Sequence, residues 1–362
     1  MKSISARQSG IIVFLTILAN KILVLPSAMY EKSKTDSIFA LIAIFAFELL
    51  VLACFFALKK AYPEQNLKEI LSKKMGCVAA KVIIFAFLIF FLFKTMLTYA
   101  VLYVYLKDLV YQDEFGFLAL VCLFPVVNHA VVCGLRAMGR TFELFYYIVL
   151  VGVIFCLGIA FFTNISMPNF FVASPSEIFH SGFRYIFAFG DYLVLFLFID
   201  KIKLKKGEEK KIFLFALVGI ILVLAIFIIF YAKYQVTAFM HNNALADLLV
   251  FSVQFNAIGR LDIIAMLTIM TLGLFQLEIF QAAFCESFVQ IFDKLSVKYG
   301  VIVFDILFLV IYLVLIKKYE IMLSFATDYL VYFAILTNIV LPVLIYALSR
   351  RHKKEASDEK SD

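Results

Sequence analysis

Along the 362 residues, long apolar runs alternate with short polar segments, at 10–30, 37–58, 80–106, 117–133, 141–163, 182–199, 212–233, 262–284, 300–316 and 325–348. An α-helix needs about 20 apolar residues to cross the hydrocarbon layer, so the pattern predicts ten transmembrane helices, with 117–133 and 300–316 the shortest. Two runs are interrupted by polar residues at matching places. The first is broken at Asn20-Lys21, with Pro26 a turn further on, and the sixth at Phe189-Gly190-Asp191. Four unbroken runs separate them, so the interruptions open two successive blocks of five, about 10–163 and 182–348. Interrupted helices at equivalent places in two halves point to a transporter-type binding site. Unpaired backbone at membrane depth is tolerated only where it is buried in protein or lines a cavity.

Composition agrees. Hydrophobic residues make up 64% of the chain, charged residues 16%, and the mean hydropathy is +1.01. Soluble domains run nearer half apolar, so the chain reads as an all-α integral membrane protein. It has one membrane domain over 1–348, a charged tail over 349–362, and no soluble domain. The first run lacks a small-residue cleavage site and continues into a full span, which predicts an uncleaved helix. With both termini in the cytoplasm, the inner segments hold roughly three times as many Lys and Arg as the outer ones. The net charge of +7 follows from that topology and calls for no nucleic-acid partner. The tail opens Arg350-Arg351-His352-Lys353-Lys354, a cluster that would sit on anionic lipid at about 1 kcal/mol per basic residue. Residues 62–74 predict a short interfacial helix. Residues 234–256 predict an amphipathic helix resting on the outer face, or a lid.

The six cysteines form no C-x-x-C pair and read mainly as buried thiols. The four histidines are scattered, so spacing builds no metal site, and no cofactor is implied. There is no P-loop, H-E-x-x-H or G-x-S-x-G, which argues against an enzyme.

A charge at the bilayer centre costs at least about 2.5–3.5 kcal/mol, so intramembrane ionisable residues are functional candidates. Lys21 either snorkels to one end of its span or pairs with a buried carboxylate, and Asp191 in the matching break is the obvious partner. In the first break Ala19, Asn20, Lys21 and Ile22 are the candidate ligand-binding positions, since Pro26 should free the Ile22 carbonyl. In the second, Phe187 and Phe189 either wall a pocket or belong to the core. Gly190 permits unusual dihedrals, and the half-helix after Asp191 would aim amide donors at an anionic ligand group. Lys94 lies mid-span, with Thr98 and Tyr99 on roughly the same face. It either lines the cavity or pairs with Glu48 or Glu143. Glu48 and Glu278 are lone carboxylates, each a proton carrier or a structural hydrogen-bonded group. Gln276, Glu278 and Gln281 do not share one stripe. Arg140 and Glu143 are spaced to pair at i, i+3, and Arg260 and Asp262 open the eighth run.

Three stretches resemble one family: Ile4-Ser5 through Leu25-Pro26, Gly134-Leu135-Arg136-Ala137-Met138-Gly139-Arg140-Thr141-Phe142-Glu143, and Gly259-Arg260-Leu261-Asp262. With the Phe189-Gly190 break, their order and spacing resemble the spore germination permease family, the B subunits of germinant receptors. The resemblance covers nearly the whole chain. It implies membership of the amino acid–polyamine–organocation superfamily, a LeuT-like 5+5 inverted repeat with helices 1 and 6 broken, and a small germinant, typically an amino acid. It also implies the spore inner membrane as location, with a receptor A subunit and a C lipoprotein as partners. By position, Thr98 and Thr268 from spans three and eight would complete the pocket. This chain departs from the family in three places: Ala19-Asn20-Lys21 where glycine is usual, Gly259-Arg260 for Glu-Arg, and no tryptophan in span eight. Two other readings stand beside the receptor. One is a proton-coupled amino-acid permease of the cell membrane using Lys21, Lys94 or Glu278. The other is a scaffold subunit whose vestigial site Lys21 holds shut.

Overall fold

In the computed structural model, described over residues 3–109, 115–162, 165–241, 243–250, 262–315 and 319–348, nearly every apolar run becomes helix. Helix α1 (Ala6–Leu18) opens on a capping box, Ser5 with Gln8, and is apolar all round. A helix with no polar face belongs in an interior, and Ser9 to Leu18 are all buried. The chain then leaves the α-helix at Ala19 (φ −42°, ψ −84°), makes a single 3₁₀ turn over Asn20–Ile22, and restarts as α2 (Leu25–Ser33). Pro26 lies in the first turn of α2, where its missing N–H is harmless. It therefore starts a half-helix and does not kink a continuous one.

Helices α3 (Ser37–Ala61), α4 (Leu67–Met75), α5 (Cys77–Leu109), α6 (Phe115–Cys133) and α7 (Leu135–Phe161) follow. The expected interfacial helix is α4, capped by Asn66 and Glu69. After α8 (Pro175–Arg184) the sixth run breaks into a 3₁₀ turn (Ile186–Ala188), an extended Phe189, Gly190 at φ 88°, the short α9 (Leu193–Leu197) and a second 3₁₀ turn (Ile199–Lys201). Then come α10 (Glu209–Tyr234), α11 (Ala244–Val250), α12 (Asp262–Ile291), α13 (Val297–Leu315), α14 (Tyr319–Asp328) and α15 (Leu330–Ile335). The last run continues through a π-helical turn, Leu336–Val340. Among the described residues, six helical stretches are long and apolar enough to cross a membrane on their own: Leu25–Ala61, Cys77–Lys107, Leu135–Phe161, Glu209–Met240, Ile263–Ile291 and Leu330–Leu348. The protein is an integral membrane protein.

Helix α12 packs along α5 and α7, and α1 packs along α10. The outward faces of α7 (Leu144, Ile148, Val151, Phe155) and α13 (Ile302, Ile306, Leu309) are apolar, as lipid requires. Two small devices anchor the broken runs. Before α1, Ile4–Ser5 pairs in parallel with Ile202–Lys203, the segment that follows span six, in register Ile4 to Ile202. The Ala244 amide of α11 donates to the Leu23 carbonyl in the first break at 3.1 Å.

Several expectations are corrected. Helix α11 is a buried plug, since Leu245, Leu248 and Leu249 are inside the protein. Lys233 and Tyr234 hold it by donating to the Leu248 and Asp247 carbonyls. Residues 251–256 of that loop, Arg260 and the tail lie outside the described residues. Only Cys54, Cys156 and Cys285 are buried; Cys77, Cys122 and Cys133 face outward. Glu143 pairs with Arg7 at 3.0 Å, and Gln8 donates to its other oxygen. The N-terminal segment thus takes the carboxylate expected to neutralise Arg140.

The link between α3 and the long loop before α8 rests on one carboxylate. Asp36 accepts the backbone amides of Phe171, Val172 and Ala173 at 2.6–2.7 Å. Phe171 sits at φ 64°, a conformation that a phenylalanine holds only when its surroundings impose it. Replacing Asp36 by Ala removes three charge-assisted bonds, each worth about 1.5–3 kcal/mol when intact. Asp36→Ala is expected to make limited proteolysis within 165–173 at least several-fold faster while leaving the helical circular dichroism unchanged. An unchanged cleavage rate would show that the loop is held by other contacts.

Candidate functional site

Lys94 falls at the midpoint of α5 and is buried. Its ammonium meets Asp191 Oδ1 at 2.5 Å and the Ala188 carbonyl at 3.3 Å. The other carboxylate oxygen, Oδ2, accepts the ammonium of Lys21. One aspartate in the second break thus holds two lysines, one from the first break and one from span three. All three side chains are withdrawn from solvent. The rings of Phe189 (5.0 Å from the Lys21 ammonium), Phe280 (5.0 Å) and Phe90 (5.6 Å from the Lys94 ammonium) supply aromatic faces to the two cations.

A second carboxylate completes the set. Glu48 of α3 accepts the Gly190 amide on Oε1 at 2.7 Å, and its Oε2 has no hydrogen-bond partner among the described residues. With both carboxylates ionised, two lysines and two acids cancel. Neutrality is what a low-dielectric interior demands of a buried charge cluster. From the far side, Asn338 donates to the Ile186 and Phe189 carbonyls at 3.2 and 3.3 Å. Gly190 is obligatory here on two counts: its φ is +88°, and a Cβ would collide with the Asn338 amide. Asn338 lies in the π-helical turn of the last run, a local widening often found at functional positions.

The first break has its own polar relay. Asn20 donates to Thr98 Oγ1 at 2.8 Å; Thr98 lies 3.0 Å from the Lys94 carbonyl and 3.3 Å from Gln276 Oε1. Gln276 in turn donates to the Thr16 carbonyl at 3.3 Å. The last of these bonds gives a partner to a carbonyl in the turn before the interruption.

Of the residues singled out in the sequence, Asn20, Lys21, Lys94, Thr98, Phe189, Gly190 and Asp191 therefore converge. Ala19 and Ile22 are buried in the break itself, and Phe187 packs on Phe90, 5.5 Å between ring centres. Tyr99 points elsewhere, packing on Phe124 and Phe308 of α6 and α13. Thr268 packs against Gly152 of α7 and bonds to its own helix, so Gln276 is the α12 residue at the first break. Glu278 is buried and, among the described residues, makes no bond or ion pair with this cluster. Gln281 donates to Asn128 of α6, which donates to Asp305 of α13. The Gly190 amide, a candidate donor for a ligand anion, is already taken by Glu48. Glu48, singled out as a lone carboxylate, joins the cluster through the Gly190 amide, whereas Asn338 was missed because a single amide in an apolar run carries no spacing signal. Beside the cluster lies a cavity of about 30 Å³ bordered by Glu48, Phe189, Gly190, Tyr192 and Asn338, room for about one water molecule.

A family model described as spore germination protein matches residues 3–350. No curated protein matches the sequence. Among solved structures, the chain is similar to a Na⁺-coupled sialic acid symporter in a substrate-bound outward-open state, with a TM-score of 0.64 and 12% identity, over 93% of this chain and 79% of that one. The likeness establishes a LeuT-like transporter fold, and together with the family match it sets the protein apart from enzymes.

Removing one member of a buried ion cluster leaves an uncompensated charge, which costs about 3–5 kcal/mol. Asp191→Asn is expected to lower thermal stability by that order, and Lys21→Met or Lys94→Met by less, because each leaves Asp191 one cation. Combining Lys21→Met with Asp191→Asn should recover part of the loss, since each change removes the charge the other strands. Melting curves in lipid nanodiscs measure this; strictly additive losses would mean that the groups do not interact.

Proposed function

We propose that this chain, which belongs to the spore germination protein family, is the membrane subunit that senses a small germinant, and that the germinant is a zwitterion such as an amino acid. The observation that carries this is the Lys21–Asp191–Lys94–Glu48 cluster at the two interruptions, whose charges cancel with both carboxylates ionised. A zwitterion can enter it without leaving a net charge behind. Its carboxylate takes Lys21, its ammonium takes the oxygen that Lys21 leaves, and Lys94 keeps its hold on Asp191. Exchange of one internal ion pair for two ligand pairs would loosen the contact between the first and sixth spans. That differential contact is what lets a ligand shift a conformational population.

The rest of the reading follows the family and the charge pattern. The ten apolar runs form two inverted blocks of five, with helices 1 and 6 interrupted, in a single membrane domain over 1–348. Both termini face the cytoplasm, the location is the spore inner membrane, and a receptor A subunit and a C lipoprotein receive the signal. Transport is a separate reading: a proton-coupled permease would use the same lysines and carboxylates to carry the solute through. One observation favours a third. The cavity of about 30 Å³ beside Glu48 and Gly190 is too small for any amino acid, as expected of a scaffold subunit with a vestigial, closed site. In the sensing reading, the same closure is the resting state that the ligand must open.

The structural relative is Na⁺-coupled. Here two lysine ammoniums stand at the breaks, and sensing would need no sodium. The purified protein in nanodiscs, heated with a panel of amino acids and nucleosides, tests the proposal. At least one zwitterionic amino acid should raise the melting temperature by several degrees, equally in sodium and in choline buffer, and Lys21→Met should weaken that response tenfold or more. No stabilisation by any compound, with an unaltered germination response in a deletion strain, would leave only the scaffold reading. Proton-dependent uptake into vesicles would identify the permease.

A further inference from the structure

A larger cavity than the one beside the ion cluster lies away from the breaks. It has a volume of about 380 Å³ and opens where α7 begins and span six ends, bordered by Gly134, Arg136, Arg140, Phe198, Lys201 and Glu286. From this geometry we infer a second site, for an oxyanion bearing at least two negative charges, a phosphate or a di- or tricarboxylate, held by Arg136 and Arg140.

The two arginines lie one helical turn apart in the first turns of α7, so they stand on one face. Neither meets a carboxylate among the described residues: Glu143, the acid nearest in sequence, is taken by Arg7 and Gln8. The remaining charges at the cavity neutralise each other, because Lys201 is paired with Glu286. Gln290 donates to Glu286 at 3.3 Å and to the Leu197 carbonyl at 3.2 Å, fixing that pair against the end of span six. The cavity therefore keeps two unneutralised guanidiniums. Guanidinium groups bind phosphate and carboxylate through paired, parallel N–H donors. Helix α7 adds to this field. It starts at Gly134, at φ 88°, and no side chain caps its first turn, so its positive end faces the same space. A volume of about 380 Å³ falls within the about 300–1,000 Å³ range of small-molecule pockets.

The site is distinct from the ion cluster at the breaks and shares no residue with it. It is joined to that cluster through span six, since Phe198 and Lys201 continue directly from α9. The same oxyanion chemistry is carried by a soluble anion and by the headgroup of an acidic phospholipid, and the test separates them.

The full-length protein is reconstituted in nanodiscs of phosphatidylcholine alone, or with phosphatidylglycerol. Melting is followed against inorganic phosphate and citrate, with chloride at matched ionic strength as the blank. A soluble-anion site predicts saturable stabilisation by citrate or phosphate in the neutral lipid, weakened about tenfold or more in Arg136→Gln/Arg140→Gln, as expected from loss of charge-assisted bonds. A lipid-headgroup site predicts stabilisation by phosphatidylglycerol that the same double variant loses, with no further response to soluble anions. Both arginines are exposed, so the variant should melt like the parent in the blank. Arg136→Lys/Arg140→Lys keeps the charge and should retain a weaker response, which reports on the site even if the glutamine variant folds poorly. Lys206→Gln/Lys210→Gln removes two exposed charges elsewhere and should change nothing. An equal response of parent and both arginine variants to every probe, or a loss reproduced by the Lys206 and Lys210 substitutions, overturns the inference.

Discussion

The structure depends on one carboxylate shared between two cations in the middle of a membrane protein. Asp191 joins the first span through Lys21 and the third through Lys94, while Glu48 from the second span and Asn338 from the last fix the backbone on either side of it. Five spans therefore meet at one stretch of six residues, Ile186 to Asp191. No helix could supply these groups while remaining regular: Gly190 must have a positive φ for its amide to reach Glu48 and its Cα to pass Asn338. The interruption and the ion cluster are two aspects of one arrangement, because irregular backbone needs polar partners and those partners need each other's charge.

This arrangement explains how a transporter-like fold can serve in sensing. The structural relative is described as Na⁺-coupled and substrate-bound; here the breaks are filled by the chain's own side chains, with space for about one water molecule. A site closed by an internal ion pair can open only to something that replaces both charges. In the proposed sensing role, that requirement would select for zwitterions by electrostatics, ahead of any fit to a particular side chain. The bonds of Asn20, Thr98 and Gln276 and the buried plug α11 then hold the first break in place, so the exchange is confined to the salt bridges.

Much of this was legible in the sequence, for physical reasons. Lysine and aspartate inside apolar runs are costly enough to announce themselves, and Lys21, Lys94 and Asp191 stood out before their geometry was known. The glycine of the second break announced itself in the same way. Helix-face arguments were weaker. Tyr99 follows Thr98 directly, yet its ring turns to the aromatic cluster of α6 and α13; adjacent helix positions are about 100° apart, and a shared stripe is only approximate. Thr268 was placed by analogy and faces α7, whereas Gln276, two turns on, reaches the break. Asn338 acts through backbone carbonyls, groups that every residue carries and that leave no pattern in a sequence; Glu48 stood out as a carboxylate, but its partner, the Gly190 amide, did not. The outer loop was legible only in part: its apolar residues marked a helix, but apolarity alone does not distinguish a surface helix from the buried plug that it forms.

The central claim is that the cluster exchanges an internal ion pair for a zwitterion. It is tested most directly by calorimetric affinities of the full-length protein for one stabilising amino acid and for two of its analogues, one lacking the carboxylate and one lacking the amine. The account predicts that the zwitterion binds at least about a hundredfold more tightly than either analogue, since each analogue strands one buried charge worth several kcal/mol. An analogue with a single charge that binds as tightly as the parent amino acid would contradict it.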